Sequence, residues 1–433
     1  MIPIAIYKFY ESKFVRNVAI VATGTAGAQA ISMAFAPIIT RLYGPESFGL
    51  LGTFMALVAV LTPIAALAYP IAIVLPKEDS DAKGIMRLSA YISLAMAVFV
   101  ALALLIGGAR LLTLVGAEAI AAFVLLIPLN MLFSAWLQIT GQWLIRKKQF
   151  QVTAKVAVAQ AIMGNSVKVG IGWFNPLAAV LIVLTTIGSA FQAAMLYLVA
   201  RSADGSAFQT RQTQAKLPML TLAKRYYDFP LYRAPQIFIN AISQSLPVLM
   251  LAAFFGPAAA GFYAIGRSVL GMPAQLIGNS VGTVFYPRIT EAAHKGENLT
   301  RLLLKATLVL AAVGFLPFAI VMAFGPWLFG FIFGAEWVVA GEYARWMALM
   351  LFFNFINRPA VATIPVLDLQ KGLMVYEVFS TSSKLAALYI GFVLFESDKA
   401  AVAFFSVFGA IAYIILITWV MLSAKRETKE AVI

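Results

Sequence analysis

The chain has 433 residues, of which 62% are hydrophobic and 12% charged, with a formal net charge of +14. Soluble domains are about 45–50% apolar and about 25% charged, so this composition excludes a chain of ordinary soluble domains. The sequence contains no cysteine and one histidine, His294 in a polar segment, which excludes disulfide, thiolate–zinc and iron–sulfur chemistry. We therefore expect no cofactor and no metal site.

Apolar runs recur along the whole chain and predict an all-α polytopic membrane protein. A membrane span needs about 20 mostly apolar residues, and twelve such runs can be counted. The twelve predicted spans are 16–39, 48–75, 86–108, 118–145, 152–173, 176–200, 226–254, 260–287, 302–324, 340–364, 371–395 and 399–423. The first run exceeds the h-region of a cleavable signal, which is about 7–15 residues, so we interpret it as a span.

The longest linker, 201–225, is polar and basic, and it separates two sets of six spans. We predict an N-terminal six-helix bundle at 1–200, a cytoplasmic linker at 201–225 and a C-terminal six-helix bundle at 226–433. Lys and Arg concentrate in the loops on the side of both termini, which places the termini in the cytoplasm. This distribution accounts for the basic charge without a nucleic-acid partner.

The two halves share an ordered set of features, which indicates an internal repeat. Gly44 opens "GPESFG" and Gly256 opens "GPAAAG", each after the first span of its half. The spans that follow continue the match with Pro63 and Tyr69-Pro70 in the first half, and with Pro273 and Tyr286-Pro287 in the second. Parallel repeats recur in transporters, with the substrate bound between them. We expect two bundles related by a pseudo-two-fold axis around a central cavity.

One face of the span that opens the second half is polar. At helical spacing Arg233, Gln236, Asn240 and Gln244 fall within an arc of about 80°. A charge at the centre of a span costs about 2.5–3.5 kcal/mol, so such residues usually face water or a partner. We predict that these four residues bind substrate in a cavity. The alternative is that the amides hold helices together.

Other spans carry further polar positions, some of them basic. The substrate-binding candidates on these spans are Thr25, Gln29, Arg267, Asn279, Arg358 and Lys384. Arg267 and Arg358 could instead snorkel to the membrane interface, as we expect of Lys168. Lys384 lies in mid-span and could pair with Glu377 on the same face. Glu377 is also the candidate for ion coupling, because it is the clearest in-span carboxylate.

The basic positions within spans outnumber the acidic ones, which predicts an anion-binding cavity. Arginine and lysine bind phosphate oxygens, while amides and hydroxyls match the donors and acceptors of sugar hydroxyls. The sequence "GNSVG" around Ser280 fits a nucleophile pattern, but it lies within a span rather than on a strand–turn–helix elbow. We therefore predict a transporter of a phosphate-bearing, sugar-rich substrate and no enzyme.

Two blocks of the chain resemble known transporters. They are "GTAGAQAISMAFAPIITRLYGPESFGLLGTF" and "YRAPQIFINAISQSLPVLMLAAFFGPAAAGFYAIGRSVLGMPAQLIGNSVGTVFYPRI". Both are similar to oligosaccharide flippases of the polysaccharide transporter family. This family includes the O-antigen flippases of the multidrug/oligosaccharidyl-lipid/polysaccharide exporter superfamily.

The resemblance implies a V-shaped pair of six-helix bundles and a function in the bacterial inner membrane. It implies transfer of undecaprenyl-pyrophosphate-linked oligosaccharides to the periplasmic leaflet by alternating access, coupled to H+ or Na+. Contacts with membrane lipid and with the glycan polymerase machinery belong to the same expectation. One departure is that Ala68 and Pro70 stand where family members often have Arg and Glu around a tyrosine.

Three alternatives remain open from the residues alone. A multidrug antiporter of the same superfamily would need in-span carboxylates for cations. A membrane polymerase or ligase acting on lipid-linked glycans would need catalytic residues on periplasmic loops, which are small here. A scaffold without transport would not need polar faces on several helices.

Overall fold

A computed structural model describes residues 13–114, 116–203 and 217–430, and these residues are almost entirely helical. The α-helices are α1 Lys13–Ala65, α2 Tyr69–Ala72, α3 Asp79–Leu114, α4 Leu126–Arg146, α5 Phe150–Gly172, α6 Ala178–Ala203, α7 Met219–Arg225, α8 Ala234–Phe255, α9 Pro257–His294, α10 Leu299–Phe333, α11 Val338–Ile356, α12 Arg358–Thr363, α13 Gln370–Phe395 and α14 Asp398–Glu430. Short 3₁₀ turns precede α4 and α11, and a π-helical turn precedes α8.

The prediction of an all-α polytopic membrane protein is confirmed. Among the described residues, seven helices are long and apolar enough to cross a membrane. They are α1, α3, α6, α8 with its preceding turn, α10, α13 and α14. Several other helices, such as α5 with 23 residues, are also long but less apolar. The count of twelve spans stays a prediction.

The chain divides into two compact units, Met1–Ala253 and Phe254–Ile433. Unit 1 contains α1 to α7 and nearly all of α8, and unit 2 contains α9 to α14. The predicted division at 1–200, 201–225 and 226–433 stays a prediction, and much of its linker lies outside the described residues.

Close contacts between α1 and α5 shape unit 1. A Cβ added at Gly24 of α1 would lie 2.2 Å from the Cβ of Ala154 on α5, so only glycine allows this approach. Farther along, the ring of Tyr43 packs against Gly172, and its hydroxyl donates to the carbonyl of Lys168 at 2.9 Å. Small residues at one end and a buried tyrosine at the other therefore hold the two helices together.

Both Gly-Pro pairs of the sequence repeat adopt one unusual backbone conformation. Gly44 has φ 68° and ψ 170°, and Gly256 has φ 83° and ψ 176°. This region is open essentially to glycine alone, and the proline that follows begins the next helical segment. Gly44 thus kinks α1, while Gly256 separates α8 from α9. The common geometry supports the repeat.

The end of the second predicted span, 48–75, is wrong, because α1 stops at Ala65. Leu67 and Ala68 have φ of 48° and 59°, so the chain turns through two left-handed residues before α2. Burial favours the break: Tyr69 and Ile73 join a core with Trp143. The repeat is unequal here, since α9 continues unbroken through the matching Tyr286-Pro287 pair.

Arg146 at the end of α4 secures the loop that follows this break. Its Nη1 donates to the carbonyl of Pro76 at 2.6 Å, and its Nε donates to the carboxylate of Asp79 at 2.9 Å. Lys147 binds the other oxygen of Asp79 at 2.5 Å. Only 11% of the Arg146 side chain is exposed. Its other hydrogen bonds go to backbone carbonyls of the loop after α2, between Ile73 and Lys77.

Unit 2 is built around α11, which packs against α9, α10 and α14. Gly341 of α11 and Gly325 of α10 meet backbone to backbone: a Cβ at Gly341 would lie 2.4 Å from the carbonyl oxygen of Gly325. Tyr343, fully buried, donates to the carboxylate of Asp398 at the start of α14, at 2.7 Å. Helices from across the unit are therefore tied to α11.

Candidate functional site

The polar face predicted on α8 and the turn before it is exposed along its length. Arg233, Gln236, Asn240 and Gln244 are all exposed. Nη1 of Arg233 donates to Oε1 of Gln236 at 2.8 Å, so the guanidinium and the first amide act together. The four residues lie in unit 1 by the division of the chain. Their role in binding stays a prediction.

Arg233 is positioned by a local distortion rather than by regular α-helix. It ends the π-helical turn Phe229–Arg233, which contains Pro230, and α8 begins at the next residue. Proline lacks the N–H that would continue regular hydrogen bonding, so such turns accommodate it. π-Helical turns are frequent at functional sites. This distortion is not visible in the periodicity of the sequence.

The polar residues predicted on the first span differ in their surroundings. Thr25 is exposed, while Gln29 is half-buried and its Oε1 has no hydrogen-bond partner among the described residues. Nearby on α1, Ser32 accepts a hydrogen bond from the Nδ2 of Asn165 on α5, at 3.2 Å. Asn165 was missed by the sequence analysis, because α5 shows no clear polar stripe. This part of unit 1 offers neutral amides and hydroxyls.

Unit 2 brings together the predicted in-span charges. Lys384 of α13 interacts electrostatically with Glu377 on the same helix and with Arg267 of α9. The phenol group of Tyr413 on α14 interacts electrostatically with Arg267, Arg358 and Glu377. We call Arg267, Arg358, Glu377, Lys384 and Tyr413 the charged cluster. It holds three basic side chains and one carboxylate.

Lys384 is half-buried, and its Nζ lies 5.7 Å from the ring centroid of Tyr413. The alternative that Lys384 pairs with Glu377 stays a prediction, and the two residues interact electrostatically on α13. Tyr413 was missed by the sequence analysis. The signal available in the sequence was a tyrosine within a mostly apolar predicted span, four residues after Gly409.

Arg358 begins α12 directly after Asn357 and lies against α9. A Cβ added at Gly278 would lie 2.8 Å from its Nε. Its Nη2 contacts the Oδ1 of Asn354 at 3.5 Å, and its buried Nε has no hydrogen-bond partner among the described residues. The guanidinium therefore keeps donors available within unit 2. Asn279, one residue beyond Gly278, and Ser280 have side chains outside the described part of the chain.

Arg267 adds a third basic group from α9. It is half-buried and lies in hydrogen-bonding range of the fully buried Tyr263. Within the described residues, no group of His, Asp and Glu has the arrangement of a metal site. The chemistry of the charged cluster is therefore that of an anion site inside a helical unit, since its basic groups outnumber its carboxylate.

Known proteins resemble the chain in sequence and in fold. The family model described as "Polysaccharide biosynthesis protein" matches residues 38–342. The succinoglycan biosynthesis transport protein ExoT of Rhizobium meliloti (strain 1021) is 23% identical over 355 residues, covering 80% of this chain and 66% of the relative. The chain thus spans just under two thirds of the length of that relative.

Two solved structures show the same fold. The inward-facing conformation of a multidrug resistance MATE family transporter is 15% identical, with a TM-score of 0.67 over 93% of this chain and 96% of that one. The lipid II flippase MurJ, in an inward closed conformation, is 13% identical, with a TM-score of 0.67 over 96% of this chain and 91% of that one. These relatives are transporters and a flippase, in agreement with the prediction that the chain is no enzyme. The family match covers most of the chain, which therefore belongs to the polysaccharide biosynthesis protein family.

Proposed function

We propose that the chain is a flippase for lipid-linked oligosaccharides. It moves undecaprenyl-pyrophosphate-linked sugar units from the cytoplasmic to the periplasmic leaflet of the bacterial inner membrane by alternating access. The observation that carries this proposal is the charged cluster of unit 2, in which three basic groups outnumber the single carboxylate. Charged groups within membrane spans are costly, so they mark functional sites by default.

The basic residues of the cluster suit a pyrophosphate. Arg358 supports this role because its guanidinium is held in place by the fit against Gly278 while its Nε stays unpartnered among the described residues. Guanidinium groups bind phosphate oxygens through paired hydrogen bonds, and an ammonium adds a point charge. We assign Arg267, Arg358 and Lys384 to the pyrophosphate.

The exposed face of α8 and the turn before it suits the sugars and the pyrophosphate that joins them to the lipid. Gln236, Asn240 and Gln244 present amides, each of which both donates and accepts hydrogen bonds. Arg233 stands at the start of this series, where it would meet the pyrophosphate first. On α1, Thr25 and Gln29 offer a hydroxyl and an amide of the same chemistry, and Asn279 on α9 belongs to the same proposed set.

The proposal includes the layout and the energy source that the family resemblance implies. Twelve spans form two six-helix bundles, and both termini lie in the cytoplasm, as the distribution of Lys and Arg supports. Glu377 is the group that would respond to a coupling ion, H+ or Na+. Glycan polymerase machinery would receive the exported units.

Mass spectrometry of the purified protein tests this function. We expect a bound pyrophosphate-linked oligosaccharide, which is lost from a variant with Arg358→Ala. Tight, stoichiometric binding of a cationic drug without any bound glycolipid would instead support a multidrug antiporter. Release of polymerised glycan from a lipid-linked precursor by the purified protein would support the enzyme alternative.

A further inference from the structure

The ammonium of Lys384 occupies a place with the chemistry of a cation-binding site. It lies 5.7 Å from the ring centroid of Tyr413 and within electrostatic range of the Glu377 carboxylate. An aromatic face attracts an ammonium through its quadrupole, and a carboxylate attracts it through its charge. We call the space between the Tyr413 ring and the Glu377 carboxylate the seat. The cation in this seat is the ammonium of Lys384, so no ion from solution is needed to fill it.

The chain makes room for this lysine on α14. A Cβ added at Gly409 would lie 3.3 Å from Cδ of Lys384 and 2.5 Å from Sδ of Met350. Any larger residue would displace the stem of Lys384 or the methionine. Gly409 stands one helical turn before Tyr413, so a single face of α14 accommodates both the stem and the ammonium.

Charged groups on other helices explain why the ammonium stays near Glu377. Arg267 of α9 repels it, while Glu377 attracts it. Arg358 adds further positive charge around Tyr413. An ammonium fixed by its own side chain avoids the entropy that a free ion would lose on binding.

We propose that Lys384 is a built-in cation that fills the seat formed by Tyr413 and Glu377, so that anion binding in unit 2 needs no Na+ or other monovalent cation. The inference rests on the proposed anion-binding role of the charged cluster. The class of ligand that we assign to the seat is a primary ammonium.

Chemical rescue tests the seat directly. In Lys384→Ala the side chain beyond Cβ and its charge are removed, which leaves space for n-propylammonium. We expect binding of farnesyl diphosphate to weaken on the order of tenfold, and n-propylammonium to restore it and to raise the melting temperature of this variant. The wild-type protein should show neither response, because its seat is filled. Absence of rescue in a folded Lys384→Ala protein would overturn the proposal.

Two further variants and the replacement of one buffer ion give additional tests of the proposal. Lys384→Met keeps the volume of the stem, so it should bind farnesyl diphosphate weakly and resist rescue; wild-type binding by this variant would overturn the proposal. Lys384→Ala with Glu377→Gln should lose the response to n-propylammonium. Replacing Na+ by choline should leave anion binding by the wild-type protein unchanged, and a requirement for Na+ would contradict the built-in cation. If the protein passes these tests but binds no native glycolipid, the proposed function is contradicted while the role of Lys384 stands.

Discussion

The guanidinium of Arg358 lies against the backbone of Gly278, so closely that a Cβ at this glycine would be 2.8 Å from Nε and 3.1 Å from Cζ. The two residues belong to neighbouring helices of unit 2, α12 and α9. Gly278 opens the sequence "GNSVG", and it accommodates an arginine side chain. A glycine in the middle of a helix is costly, and this contact gives its physical reason.

Gly278→Ala should displace Arg358 and weaken anion binding. The new methyl group would lie 2.8 Å from Nε, so the guanidinium must move away from its place beside Asn354. We expect binding of farnesyl diphosphate to weaken on the order of tenfold, about 1.4 kcal/mol. Isothermal titration of the purified variant measures this loss.

Gly271→Ala is the matched control on the same helix. A Cβ at Gly271 would meet no described atom within 4 Å. Alanine is favoured over glycine within a helix by about 0.8–1.0 kcal/mol in peptides, so this variant should bind the anion normally and unfold no more easily than wild type. Equal loss of binding in both variants would show that the position of Arg358 does not matter.

Arg146→Ala should destabilise unit 1 more than Lys147→Ala does, although both residues bind Asp79. Arg146 is nearly buried and donates to several carbonyls besides the carboxylate. Its loss leaves those carbonyls unsatisfied, at a cost of about 1.5–3 kcal/mol. Lys147 forms a more exposed ion pair, worth less than about 1 kcal/mol. Unfolding in detergent measures both, and equal costs would contradict the role of Arg146 as the residue that secures the loop.

Gly172→Ala should destabilise the contact between α1 and α5, while Gly170→Ala should not. At Gly172 a Cβ would lie 2.5 Å from the Cε2 of Tyr43, a buried ring that cannot retreat easily. Overpacking of this kind costs about 1–3 kcal/mol. At Gly170 a Cβ would meet no described atom within 4 Å. Thermal unfolding of the two variants compares them, and a stable Gly172→Ala protein would show that Tyr43 repacks freely.

Hydrophobic content and helical periodicity suffice to predict the class of the protein and several in-span candidates. Long apolar runs allow little besides spanning helices, because the bilayer leaves no partner for an unpaired backbone. Charges within those runs are rare and costly, so Arg267, Arg358 and Lys384 stand out from the amino-acid sequence alone. The fold brings these three residues together in unit 2.

The parts that escaped prediction depend on packing between distant segments. Tyr413 and Asn165 are ordinary residues in sequence, and only neighbouring helices give them polar partners. The break after Ala65 relies on two left-handed residues that are not glycine, which local propensity disfavours. Tertiary contacts of Tyr69 and Ile73 stabilise that break, and single-sequence patterns do not report them.

Arg233→Ala should abolish glycan export without affecting the fold. Arg233 is exposed and its side chain donates to Gln236, one turn along, so its removal leaves no buried group unsatisfied. Surface glycan, measured in a strain that depends on this chain, should fall at least about tenfold while the amount of protein in the membrane stays constant. Lys224→Ala removes an exposed basic residue of α7 and is the control for a general effect of charge. Export that is normal in Arg233→Ala, or reduced equally in both variants, would exclude Arg233 as a specific contact for the pyrophosphate.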